Sequence, residues 1–329
     1  MIGFNASTVM LQWATGGLLF LWVTTRGRLV GLGYGWLMRA LFGAIGMIGL
    51  VVAAYGRWVY SRDVPAFLMV MSTLAALVVS VVRKGAGVLE QRLGQERRRV
   101  RVAAMAEAAN SAVSVSVSEP PGLPAIDATT VAAASNHPET SAMQMRDQFG
   151  RVSSDDAVEY SDGPEFPPML DLIAPAFGMI GVVGAAIDAA NNAPVWLAIA
   201  RFVVGALFLG SVSDAMLLGH WYLVQPGLAR TPIHELNDWV LRTWPVEVAL
   251  LLVPTGMYQA FVGSVSDGWG GTLTWFWGAC AVTTGILGFV TRIALRERYY
   301  SAVMAATGFL YLAILMAFCT DLIARAILS

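Results

Sequence analysis

Apolar residues dominate this chain in blocks of about twenty, separated by short polar connections. The blocks fall at 5–25, 37–59, 64–82, 168–188, 193–224, 237–262, 269–292 and 299–327. Each is close to the ~20 residues that an α-helix needs to cross a bilayer. The pattern predicts an all-α, polytopic transmembrane helix bundle of about eight spans. The fifth block is the longest and is expected to tilt or to extend into the cytoplasm. One connection is long. Residues 83–109 read as a basic helix continuing from the third span. Residues 110–166, rich in Ala, Ser, Pro and acids, predict a disordered acidic linker. The organisation is therefore 1–82, a three-helix membrane segment; 83–109, a basic cytoplasmic helix; 110–166, the linker; and 167–329, a five-helix membrane segment.

Composition agrees with a lipid environment. The chain is 57% hydrophobic and 13% charged, against a charged share of about 25% in soluble proteins. The net charge of -1 says nothing about nucleic acid, and no folded basic domain supports binding it. Cys280 and Cys319 both fall inside predicted spans and form no CxxC or Cys/His pattern for a metal. Of the 21 basic residues, all but Lys84 are arginine, which points to a GC-rich bacterial genome.

Charge placement predicts orientation. With the N-terminus outside, the inner connections collect Arg26, Arg28, Arg39, Arg83, Lys84, the arginines of 92–101, Arg146, Arg151, Arg230, Arg242, Arg292, Arg296 and Arg298. Only Arg57, Arg62 and Arg325 fall outside. Positive charge marks the cytoplasmic side, so both termini are expected in the periplasm of a bacterial inner membrane. The basic residues of 83–101 are expected to lie on anionic lipid headgroups, with recruitment of other membrane subunits as the alternative. Trp36, Trp58, Trp239, Trp244, Trp269, Tyr299 and Tyr300, with the slightly deeper Trp275 and Trp277, read as an interfacial aromatic belt.

Two blocks share a motif. Phe42–Gly49 and Phe177–Gly184 both read FGxIGxxG, and each precedes a short outer loop and a proline, Pro65 or Pro194. The hairpins 37–82 and 168–224 are candidates for a parallel duplication. Chance enrichment of Gly and Ile is the competing explanation.

Polar residues inside the blocks carry the functional expectation, because ionisable groups are costly in lipid. Arg201, about 12 Å from the outer end of its span, is expected to pair with Asp321 at a comparable depth. Asp214 and Glu247, on adjacent antiparallel spans, are expected to share one depth and to form a proton, cation or substrate site with His220 nearby. Pro245 and Pro254 flank Glu247 and free backbone carbonyls. The alternative is that each acid is bonded to Ser211, Ser213, Thr243 or Thr255. His220 and His234 offer a weaker cofactor reading, as ligands of haem b or contacts to a quinone.

No Walker loop, dinucleotide fingerprint, HExxH or nucleophile elbow occurs. No lysine lies within a span, which excludes a retinal Schiff base. Enzymatic chemistry is therefore not expected. Three readings follow: a proton- or cation-coupled or small-solute transporter with its site between the fifth and sixth spans; a redox subunit binding haem or quinone near His220; and a non-catalytic accessory or assembly subunit.

Overall fold

The computed structural model describes residues 5–84, 166–190, 194–225, 228–253, 256–297 and 299–328. The expected basic helix beyond Lys84, and the linker apart from Phe166, lie outside the described residues, as do Pro254 and Thr255. Among the described residues there are helices and no strand. They are α1 (Ala6–Thr25), α2 (Leu32–Tyr55), α3 (Tyr60–Val82), α4 (Leu170–Ala189), α5 (Val195–Val224), α6 (Thr231–Leu252), α7 (Met257–Phe261), α8 (Thr272–Arg296) and α9 (Tyr300–Leu328). All except α6 and α7 are long and apolar enough to cross a membrane, seven in total, which supports a multi-pass membrane protein.

The sixth block departs from expectation. Its helix starts at Thr231, before residue 237, because Pro232 occupies the first turn, where a missing N–H costs nothing. It ends at Leu252, and α7 follows only after Gly256 at φ 104°. A left-handed residue cannot continue a right-handed helix, so 237–262 is not one continuous helix. Glu235, Asp238, Arg242 and Glu247 also make α6 more polar than its neighbours.

The helix with the most small and polar residues lies at the centre. In α1, Ser7, Thr8, Gln12, Thr15, Gly16, Gly17 and Thr24 are all buried. Lipid accepts large apolar side chains and rejects unsatisfied polar ones, so such a helix is driven inward. It packs on α2, α4 and α5. In turn α3 packs on α2 and α4, α5 contacts α4, α6 and α9, and α8 contacts α6 and α9. Large apolar residues such as Val78, Ile293 and Leu315 point outward.

The two FGxIGxxG faces occupy similar surroundings. Gly46 and Gly49 of α2 abut Met69 and Val70 of α3 and Met10 of α1. Gly178, Gly181 and Gly184 of α4 abut Thr15 and Leu11 of α1 and Arg62 and Ser61 of α3. Close packing of both helices on the same pair is sufficient to account for the shared pattern.

Polar contacts tie the helix connections together at each end. At one end Arg26 pairs with Glu235, and Arg230 donates to the Glu297 carbonyl and, at 3.2 Å, to that of Tyr299. Thus the α5–α6 and α8–α9 connections lie on the same face. At the other end Arg57 pairs with Asp188 at 2.8 Å, and Arg62 Nη2 donates to the Arg57 carbonyl.

The loop before α8 is held by one carboxylate. Asp267 Oδ1 accepts from the backbone N–H of Trp269 and Gly271, both at 2.9 Å, and Oδ2 accepts from the Thr274 N–H at 3.1 Å. These donors favour the ionised form and hold the carboxyl at about 2, below the ordinary 3.8. Its contribution to loop order is fully present above pH 3.8 and lost as the pH falls through about 2. A carbon-detected NMR titration should place the Asp267 inflection near 2, and Asp267→Ala should speed amide exchange at Gly271 and Thr274 at neutral pH. An inflection near 4 would contradict this.

Candidate functional site: a buried charge cluster

Four helices bring ionisable or amide side chains to one level. Gln12 lies six residues into α1 and Arg201 six residues into α5, while Glu247 lies five residues before the end of α6 and Asp321 seven before the end of α9. At ~1.5 Å per residue, each sits roughly 8–10 Å inside the same end of the bundle. Arg325, one turn beyond Asp321 on the same face of α9, joins them. All five are at least 97% buried.

The contacts form a partial network. Arg325 Nε donates to Asp321 Oδ2 at 2.8 Å, and Arg325 Nη2 donates to Gln12 Oε1 at 2.6 Å. Gln12 Nε2 in turn donates to the Phe202 carbonyl at 2.7 Å. The ring of Phe202 covers the Arg325 guanidinium at 5.6 Å. Arg201 Nη2 lies 4.0 Å from Asp321 Oδ1, the expected pair, at ion-pair range but beyond a hydrogen bond. Glu247 lies beside Gly205, where a Cβ would come within 3.8 Å of both its oxygens. It stands within electrostatic reach of Asp321, Arg201 and Arg325.

Two guanidiniums and two carboxylates balance in charge, which is how buried ions are tolerated. Hydrogen bonding is not balanced. Both oxygens of Glu247, Asp321 Oδ1, and Nε and Nη2 of Arg201 have no hydrogen-bond partner. Native interiors rarely leave such groups orphaned, and clusters of them mark places that take up water, an ion or a ligand.

Asp214 does not belong to this level. It lies nine residues past Gly205 on α5, ~13 Å further along the axis. The expected shared depth for Asp214 and Glu247 is therefore corrected. It assumed that the loop length sets the register of α5 against α6, whereas the early start of α6 shifts it. Asp214 is wholly buried and accepts from Tyr34 Oη of α2 at 3.2 Å, and its Oδ2 is unpartnered. Of the hydroxyls expected beside the acids, Ser213 receives the Trp13 indole N–H at 2.9 Å, while Ser211 Oγ and Thr243 Oγ1 face each other at 3.5 Å.

His220 and His234 are at the other end of the bundle. His220 is exposed, and its Nδ1 lies 3.0 Å from Tyr311 Oη of α9. His234 is half-buried in the first turn of α6. Among the described residues no hydrogen bond joins the two imidazoles, and no three metal-ligating side chains gather.

Sequence reasoning missed several buried residues. Gln12 lies in the first apolar block and carries no charge to mark it, although a lone amide amid apolar residues is itself a signal. Arg39 forms a two-pronged pair with Asp171, Nε to Oδ1 and Nη2 to Oδ2 each at 2.7 Å, under the Phe166 ring. Arg62 and Asp63 pair at 2.6 Å and are also buried. Both arginines read as flanking charges because they fall near helix ends. Two belt residues also turn inward: Trp277 is buried and donates to the Thr320 carbonyl at 3.0 Å, and Trp244 packs on Gly285 and donates to that of Ala281 at 2.8 Å. The surface is not the only place where an indole finds an acceptor.

The chain matches no family model, no curated protein and no solved structure.

Proposed function

We propose that this chain is an ion- or small-solute-moving protein of a bacterial cytoplasmic membrane, with the Gln12–Arg201–Glu247–Asp321–Arg325 cluster as its site. One observation carries this reading: Glu247 is wholly buried in the bundle and neither of its oxygens has a hydrogen-bond partner. A purely structural acid would be bonded at both oxygens, as Asp171 is. An intramembrane acid with no protein partner at either oxygen can take up a proton, an ion or a solute.

The proposed topology has eight crossings with both termini periplasmic. It is supported by the contact of Arg230 with Glu297 and Tyr299. Those connections share one face, so if α8 crosses, α6 crosses too. Counting α6, the arginine-rich connections all fall on one side, the cytoplasmic one. Residues 83–101 are proposed to rest there on anionic lipid.

The purified full chain, reconstituted in liposomes and driven by an ion gradient and a membrane potential, tests the reading. Flux of at least one of H⁺, Na⁺ or K⁺ is expected, and Glu247→Gln should abolish it with unchanged folded yield. A Soret band in the purified protein, with no flux, would favour the redox alternative.

A further inference from the structure

The stretch between Glu247 and Asp214 is not a plain apolar barrier. We infer that the ion handled by the cluster is the proton, and that buried hydroxyls carry it between Glu247 and Asp214 and on to Tyr34. This rests on the reading of Glu247 as the ion-carrying carboxylate.

The positions form a ladder. Thr243 lies one turn from Glu247 on α6, and Ser211 lies one turn from Asp214 on α5. The two hydroxyls face each other across the helices at 3.5 Å. Asp214 then accepts from Tyr34 Oη at 3.2 Å, and Tyr34 sits in the first turn of α2, at the opposite end from the cluster. All five side chains are at least 94% buried. The ladder thus runs from ~8 Å inside one end of the bundle to the first turn at the other.

Both carboxylates present unpartnered oxygens along this line, Glu247 Oε1 and Oε2 and Asp214 Oδ2. Side chains one helical turn apart are about 5–6 Å from each other at Cβ. One water between Glu247 and Thr243 and one between Ser211 and Asp214, each held by a carboxylate oxygen and a hydroxyl, would complete the connection. Ser211 and Thr243 also donate to their own helix carbonyls, Phe208 and Trp239, at 3.0 and 2.9 Å. Their remaining lone pairs are therefore available to accept.

Transfer balances without any oxidant. Protonated Glu247 gives its proton to the first water, and each oxygen along the line accepts one proton and releases its own to the next. Glu247 ends as carboxylate and Asp214 as neutral acid. Asp214 then passes its proton to Tyr34 Oη as the phenol releases its own to water at that end of the bundle, and Glu247 takes a new proton from water at the other end. Each hydroxyl rotates back before the next passage.

The cluster also discriminates between ions. A sodium or potassium ion at Glu247 would face the guanidiniums of Arg201 and Arg325 and would need several oxygen ligands. A proton needs one oxygen and one neighbour. Val212 and Val240, both wholly buried beside the ladder, offer a metal ion no ligand.

Full-length protein in liposomes loaded with a pH-sensitive dye, driven by a potassium diffusion potential, is the test. Proton flux is expected in the wild type, with none of sodium. Thr243→Val and Ser211→Ala should each slow it about a hundredfold, the low side of what a positioned proton donor contributes. Asp214→Asn should stop it. Thr243→Ser, which keeps the hydroxyl, should retain the rate and so separate the role of the hydroxyl from folding. Thr284→Val, which removes a buried hydroxyl bonded to the Cys280 carbonyl of its own helix α8, should change nothing. If Glu247→Gln stops flux but the Ser211→Ala/Thr243→Val double variant conducts normally, the ladder is wrong and the site reading stands. Sodium flux without proton flux likewise overturns the choice of ion alone. If Glu247→Gln conducts normally, or no ion moves, the underlying reading fails and takes the ladder with it.

Discussion

Gly16→Val or Gly210→Val should leave little folded protein. The two glycines meet where α1 crosses α5. A Cβ on Gly16 would overlap the Ala206 carbonyl, and one on Gly210 would overlap the backbone of Gly16. Overpacking a core with an extra side chain costs about 1–3 kcal/mol when neighbouring side chains can give way. Here the obstacle is backbone, which cannot rotate aside, so the cost should exceed that range. The helices would have to separate, and α1 would pull Gln12 out of the charge cluster. Size-exclusion profiles and thermal unfolding in detergent read the effect. Gly308→Ala is the contrast: nothing lies within 4 Å of its added Cβ, and a helix favours alanine over glycine by roughly 0.5–1 kcal/mol. A folded, stable Gly16→Val variant would mean that α1 and α5 do not touch as described.

Asp321→Ala should be the most damaging change within the charge cluster. Asp321 is the hydrogen-bonded counter-ion of Arg325 and the nearest carboxylate to Arg201. Removing it leaves two guanidiniums and a single carboxylate, Glu247, at one buried level. Breaking a buried ion pair from one side typically costs about 3–5 kcal/mol, because the remaining charge stays desolvated. The sign of the coupling is also expected. Combining Asp321→Ala with Arg201→Met restores the charge balance and should recover part of the loss. Unfolding in mixed micelles, followed by tryptophan fluorescence, gives both numbers. A double variant no better than Asp321→Ala alone would show that charge balance does not hold this region together.

These two expectations differ in what could be read in advance. Gly16 and Gly210 are visible as small residues in apolar helices, but nothing in their spacing says that they face each other. Asp321 and Arg325 are four apart, so their pairing on one helix face follows from helical geometry alone. The approach of Arg201 was expected from matching depths, and the structure puts it at 4.0 Å. Depth matching failed for Asp214 and Glu247, because a few residues of extra helix at the start of α6 change the register by a full turn or more.

Local chemistry along the chain determined that the polypeptide consists of long apolar helices, roughly where each begins and ends, and which ionisable residues lie within them. The reason is that lipid demands an unbroken run of internally bonded apolar residues, and such a run is a property of consecutive positions. Only tertiary structure decided that α1 sits at the centre, that Gln12 joins Arg201, Glu247, Asp321 and Arg325, and that Ser211 meets Thr243 halfway to Asp214. In an aqueous protein the hydrophobic stripe tells which face of a helix turns inward. Here lipid and neighbouring helices are equally apolar, so the inward face is chosen by small and polar residues whose partners lie far along the chain.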